Sequence, residues 1–232
     1  MKIQVECKSA YSIGYVFLAS GEKLEVESGS LMAMSQGITA RVTTGGGIAK
    51  AAFRKVLGQE NFFLTEYEAT VDGAWVALTS KYPGDMVNLD LNTYGGVCIQ
   101  SGSLVAVSDG VEVDVRYAGV RNIILREGAT TLLARGVGNV LISSYGAIQE
   151  FPINQGESMF VDTGHIVAWT SNLQVEIGFL GGAVTATTSG EGLVAKYSSN
   201  SEPGKVWVQT RSEAQLRSWI FPERLQNKKS GE

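Results

Sequence analysis

Histidine, cysteine and proline are scarce in this 232-residue chain, which has one, two and four of them respectively. A lone histidine excludes any metal site built on two imidazoles, and it forces every Ser-His-Asp or Cys-His constellation through His165. Cys7 and Cys98 form no CxxC pair and neither stands beside a histidine, which argues against a disulfide framework or a thiolate zinc site. Four prolines beside 28 glycines point to many tight turns rather than to disorder. Basic residues are in the minority, 19 Lys plus Arg against 23 Asp plus Glu. The net charge of -4 therefore gives no general attraction to phosphate or anionic lipid, and a nucleic-acid partner would need a local patch. No apolar run approaches the roughly 18 to 20 residues of a membrane span. The opening string MKIQVECKSAYSIGY lacks the apolar centre of a signal peptide, so the expected location is the cytoplasm.

What the chain does contain is a recurring string. Ser28-Gly29-Ser30-Leu31-Met32-Ala33-Met34-Ser35 returns as Ser101-Gly102-Ser103-Leu104-Val105-Ala106-Val107-Ser108 and again as Thr163-Gly164-His165-Ile166-Val167-Ala168-Trp169-Thr170. The shared pattern is [Ser/Thr]-Gly-x-[Leu/Ile]-x-Ala-x-[Ser/Thr]. It continues in step through Gly37, Gly110 and Asn172 into apolar residues that alternate at Ile38/Ala40/Val42, Val111/Val113/Val115 and Leu173/Val175/Ile177. A period of two means strands, and Gly or Asn at the junction suits a tight turn with positive φ. Gly21-Glu22 and Gly156-Glu157 precede the first and third copies at the same offset. Each unit has room for four or five strands but is too short for a conventional independent domain, so the three must share a core. The expected architecture is all-β: a single domain over residues 1–211, built of three pseudo-symmetric antiparallel β-sandwich repeats near 28–100, 101–162 and 163–211. Gly29, Gly102 and Gly164, with Ala33, Ala106 and Ala168, are its structural repeat positions, and the alanines are expected to be buried in equivalent places.

Two segments depart from the alternation. Ile48 to Leu57, after Gly45-Gly46-Gly47, fits an inserted amphipathic helix with Ile48, Ala52, Phe53, Val56 and Leu57 on its apolar half. Lys50, Phe53, Arg54 and Lys55 make it a candidate interaction element, either a lid on the protein's own core or a docking site for a partner or membrane surface. The three glycines match no phosphate-loop pattern and suit a hinge better than an anion cradle. Ser212 followed by Gln215 resembles a capping box for a short helix through Trp219, limited by Pro222, in a segment 212–232 that ends in a tail.

The chemistry-bearing residues are sparse. His165 occupies the place taken by Ser30 and Ser103 in the other copies, which favours a structural role over catalysis. Glu112 and Asp114 alternate with Val111, Val113 and Val115 and so belong to a solvated strand face. Asp85, Asp90 and Asp109 supply carboxylates without the dense loop that calcium requires. Lys81-Tyr82-Pro83-Gly84-Asp85 reads as a turn. No catalytic, cofactor-binding or metal-ligating residue is assigned, and no cofactor is expected.

The strings ESGSLMAMSQGI, GQENFFLTEYEA, KYPGDMVNLDL, VDTGHIVAW, SGEGLVAKY and GKVWVQTRS together resemble the family named for altered inheritance of mitochondria, formerly a domain of unknown function. The resemblance covers nearly the whole chain. It implies a fold similar to that of the tryptophan-RNA-binding attenuation protein, a β-sandwich type known for ring assemblies. It also implies no established enzyme activity, and a link to inner-membrane organisation in the mitochondrial members. The leading expectation is a non-enzymatic homo-oligomer, a trimer, that acts as a scaffold or binding protein for a protein or membrane-surface partner. An RNA- or anion-binding module and a hydrolase or metal enzyme around His165 are the alternatives, and the acidic charge disfavours nucleic acid.

Overall fold

The computed structural model describes residues 1–42, 64–115, 131–179 and 193–221. The first run of strands is β1 (Lys2–Glu6), β2 (Ile13–Leu18), β3 (Lys23–Glu27), β4 (Leu31–Met34), β5 (Ile38–Val42), β6 (Leu64–Ala69) and β7 (Ala74–Thr79). A second comprises β8 (Met86–Asp90), the short helix α1 (Leu91–Tyr94), β9 (Gly96–Gln100), β10 (Leu104–Ser108), β11 (Val111–Val115), β12 (Thr131–Gly136) and β13 (Asn139–Ser143). The third comprises β14 (Ile148–Ile153), β15 (Ser158–Asp162), β16 (Ile166–Thr170), β17 (Gln174–Phe179), β18 (Leu193–Ser198), β19 (Gly204–Gln209) and the helix α2 (Glu213–Ile220). The protein is mostly β, in several antiparallel sheets, as the two-residue alternation predicts.

Alternation sets which side of each strand enters the core. In β2 the inward side is Gly14, Val16 and Leu18, and in β3 it is Leu24 and Val26, each flanked by half-buried residues. β10 and β16 are buried along their full length, because each lies inside a six-stranded sheet with both faces covered. The sheets run β1-β2-β7-β4, β5-β6-β3-β10-β13-β8, β11-β12-β9-β16-β19-β14 and β15-β18-β17. Three apolar clusters fill the spaces between them, one around Leu24, Val76 and Leu78, one around Ile99, Leu132 and Val140, and one around Trp169, Tyr197 and Val206.

The corner ahead of β3 returns ahead of β15. Gly21 and Gly156 have φ of 84° and 81°, a left-handed conformation natural to glycine. Their N–H groups donate to the carbonyls of Ala69 and Ser199. Glu22 and Glu157 then turn back to accept from the N–H groups of Ala19 and Asn154.

Two expectations, on Ala33 and on Asn172, need correction. Ala106 and Ala168 are buried but Ala33 is only half-buried, because β4 is the outermost strand of its sheet and β10 and β16 are internal. Gly29 has φ of 90°, whereas Gly102 and Gly164 lie in 3-10 turns outside the left-handed region, so the motif glycines do not share one conformation. Gly37 and Gly110 take the expected positive φ but Asn172 does not; its side-chain amide donates to the carbonyls of Glu202 and Pro203 instead. The C-terminal helix is present with Ser212 as its N-cap, the hydroxyl accepting from the Gln215 N–H, and it ends at Ile220.

Candidate interaction surface

The motif strands carry the same irregularity in the same place. β4 pairs with β7 through Leu31↔Leu78 and Ala33↔Ala77, β10 with β13 through Leu104↔Ile142 and Ala106↔Leu141, and β16 with β19 through Ile166↔Val208 and Ala168↔Trp207. Each pairing shifts register at the residue between, Met32, Val105 or Val167, as a β-bulge does. The hydroxyl that closes the motif then has a defined task. Ser35 Oγ accepts from the Trp75 N–H at 2.8 Å, Ser108 Oγ from the Asn139 N–H at 2.8 Å, and Thr170 Oγ1 from the Lys205 N–H at 3.1 Å. Serine or threonine suits that place because a short side-chain acceptor reaches an N–H in the first two residues of the facing strand.

The reactive side chains named from sequence are engaged in holding strands. His165 Nδ1–H donates to the Gln209 carbonyl at 2.7 Å, and Gln209 Nε2 returns a bond to the Gly164 carbonyl. Asp85 is buried, and its Oδ1 accepts from the Ser12 hydroxyl at 2.9 Å and the Met86 N–H at 2.8 Å. Gly146, ahead of β14, bonds to the same segment through Pro83 and Asp85. The Lys81 to Asp85 turn therefore ties three parts of the chain together. Asp90 caps α1 by accepting from the Asn92 N–H, so Asp85 and Asp90 serve separate local structures. Glu112 and Asp114 lie on an exposed face, where Asp114 is 3.8 Å from Arg135. Among the described residues no three of His, Cys, Asp and Glu are grouped as a metal site. Cys7 is exposed and Cys98 buried, and neither is in a disulfide among the described residues.

One polar arrangement was not legible in the sequence. The Lys205 ammonium and the Trp207 indole N–H both donate to Glu150, and Lys205 lies over the Tyr94 ring. The Glu150 hydrogen bond holds the Lys205 ammonium above the usual lysine range. In the third core Trp169 and Tyr197 meet edge to face at 5.5 Å, and neither the indole N–H nor the phenol hydroxyl has a hydrogen-bond partner among the described residues. Burial, reinforced by the neighbouring Cys98, pushes the Tyr197 phenol well above its ordinary range.

The unusual surface lies at the sheet edges. Leu31, Met32 and Met34 of β4 are 37%, 48% and 44% exposed, against 1% or less for Leu104, Val105 and Val107 at the corresponding places in β10. Of the eight edge strands among the described residues, β4 alone, Leu31-Met32-Ala33-Met34, carries neither a charged residue nor a proline, the devices that ordinarily blunt an open edge. Phe160 of β15, at 57% exposure, stands on another edge. Trp219, Ile220 and Phe221 at the end of α2 are exposed as well. The interaction helix expected over 48–57, with Lys50, Phe53, Arg54 and Lys55, lies outside the described residues. No helix of the described residues is long and apolar enough to cross a membrane.

Comparison with known proteins places this arrangement among relatives. The family model described as AIM24, mitochondrial biogenesis, matches residues 3–211. An uncharacterised protein of Streptococcus pyogenes serotype M6 is 22% identical over 218 residues, covering 90% of this chain and 86% of that protein. The X-ray crystal structure of a Streptococcus pyogenes protein is similar with a TM-score of 0.75 at 20% identity, over 94% of this chain and 97% of the other. At that identity the likeness concerns the fold.

Proposed function

We propose, for a chain that belongs to the AIM24 family of mitochondrial biogenesis, a non-catalytic role as a self-assembling scaffold that offers a surface to a protein or membrane partner. In this reading the three blocks are copies of one sandwich unit joined in a single polypeptide, in the manner of the attenuation-protein fold that the sequence resembles. The observation that carries it is the contrast between the polar and apolar side chains. His165 and Asp85, the groups best suited to acid-base work, are each tied to backbone or to a strand neighbour, while Met32, Met34 and Phe160 stand exposed on open edges. An enzyme needs a nucleophile and base in mutual reach, and a scaffold needs a sticky surface. RNA binding, the second reading, has the disadvantage of a net charge of -4.

Light scattering of the full chain tests the reading, with an expected mass that is a multiple of 24.8 kDa, three times that value for the trimer. Sedimentation with vesicles containing phosphatidylserine tests the membrane partner. Retention of mixed RNA on filters, compared at low and high salt, should stay at background. A monomer that retains RNA in a salt-dependent way would replace the scaffold with a nucleic-acid module.

A further inference from the structure

The geometry points to a head-to-tail contact between two copies of this chain, in which β4 of one copy pairs antiparallel with β15 of the next. The inference rests on the oligomeric reading above and names its interface. Two junctions of the same kind already exist within the chain. β10 pairs with β3 through Ala106↔Val26, Val107↔Glu25 and Ser108↔Leu24. β16 pairs with β9 through Ala168↔Ile99, Trp169↔Cys98 and Thr170↔Val97. In both, a motif strand joins the strand that leads into the preceding motif.

Among the described residues β4 is the motif strand without such a neighbour, pairing only with β7, and β15 is the lead-in strand without one, pairing only with β18. Their correspondence to the joined strands is fixed at both ends. β4 has the bulge and closing hydroxyl of β10 and β16, and β15 has the glycine corner of β3 before it and the motif after it. Carrying the internal register across sets Ala33 opposite Val161, Met34 opposite Phe160 and Ser35 opposite Met159. Met34 and Phe160 are 44% and 57% exposed, while of the residues in the corresponding places of the internal junctions Val107, Trp169 and Cys98 are 1%, 4% and 0% exposed and Glu25 is half-buried. The pairing would bring a thioether against an aromatic ring, a favourable contact, and would give both open edges hydrogen-bond partners.

The cores agree with the edges. Val105, Ala106 and Leu141 of the second block sit in the first apolar cluster, and Val167, Ala168 and Trp207 of the third block sit in the second. The third cluster receives nothing from β4, and Met159, Val175 and Ile177 at its margin are only partly buried. Met32 and Ala33, the counterparts of Val105 with Ala106 and of Val167 with Ala168, are the side chains shaped to complete it. The two edges of one chain are not paired with each other, so the occupant is the edge of another copy. Such a contact is heterologous, and it closes into a ring when the rotation per chain allows.

Paired cysteines opposite each other across an antiparallel ladder are within reach of a disulfide. Met34→Cys and Phe160→Cys, each in a chain carrying Cys7→Ser, should on mixing and mild oxidation give a reductant-sensitive band at twice the chain mass that neither variant gives alone. Met32→Asp, a change at a 48% exposed position, should reduce the wild-type mass in light scattering to that of one chain without altering the circular dichroism spectrum. An oligomer that gives no mixed band and keeps its mass in the Met32→Asp variant would overturn this interface and leave the scaffold reading standing. A wild-type monomer with no mixed band would overturn both. A Met34→Cys/Phe160→Cys double variant that cross-links only within one chain would overturn the second copy as the occupant.

Discussion

Replacing Tyr197 by phenylalanine should make the protein more stable, and increasingly so at alkaline pH. The side chain is fully buried and packs its ring on Trp169, but the hydroxyl has no hydrogen-bond partner among the described residues. Folding therefore strips that hydroxyl of water without replacement, a cost of about 1–3 kcal/mol. Phenylalanine keeps the ring contact and omits the cost, against a small void where the oxygen stood. The expected net gain at neutral pH is about 1 kcal/mol, or a rise in Tm of about 2–4 °C for a chain of this size. The pH dependence follows from the raised phenol pKa, caused first by burial and then by Cys98. Below about pH 10 the folded and unfolded chains both hold the proton and this group is neutral in its effect on pH dependence. Above it the unfolded chain releases the proton while the folded chain keeps it, so wild-type stability falls by up to about 1.4 kcal/mol per pH unit from this residue. Tyr197→Phe has no proton to lose there. Urea unfolding followed by tryptophan fluorescence, at neutral pH and at two values above about 10, measures the difference. A variant less stable than wild type at neutral pH, or a gap that stays constant on the alkaline side, would refute the claim of an unpartnered hydroxyl.

Loss of the motif hydroxyl can be measured at Ser108→Ala, where the Asn139 N–H loses its acceptor in a buried strand; the expected cost is about 1–2 kcal/mol in urea unfolding, and less at the half-buried Ser35. Asp85→Ala should cost about 3 kcal/mol, because it orphans the buried Ser12 hydroxyl and the Met86 N–H together, while Asp114→Ala on the exposed face should stay within about 0.5 kcal/mol. Leu141→Ala, at a fully buried position in the first cluster, should lose about 2–5 kcal/mol in the same assay. His165→Ala should lower the Tm by a few degrees through the lost bond to Gln209, the equivalent of about 1 kcal/mol, and leave the solution mass unchanged.

The strands were legible because their constraints are local. Alternation in Ile38 to Val42 and Val111 to Val115 needs only one buried face to be read, and the structure forms β5 and β11 over those residues. The capping signal of Ser212 and Gln215 likewise depends on atoms three residues apart. Asn172 was misread because Gly37 and Gly110 at the matching offset take positive φ; its side chain finds carbonyls thirty residues away, and no local pattern records that. Glu150, Lys205 and Trp207 meet for a similar reason, through the pairing of β14 with β19.

The edge residues were hidden by the very repetition that disclosed the strands. Within each motif strand, Ala33, Ala106 and Ala168 look alike, and Met34, Val107 and Trp169 are all apolar, so sequence assigns all of them to a core. What separates them is the neighbour on the far side. Val107 lies beside Glu25 and Trp169 beside Cys98, each supplied by the preceding block, whereas Met34 has no such neighbour among the described residues. Among the described residues two such junctions form, and the edges of β4 and β15 have none. The side chains on these two edges differ from those on the others. Lysine, aspartate or proline blunts β1, β8 and β14 in part, whereas β4 has none of them and offers two methionines; β15 ends in Asp162 but sets Phe160 at the place opposite Met34 in the proposed pairing. The unblunted edge of β4 and the exposed Phe160 of β15 are what the proposed contact between copies would cover.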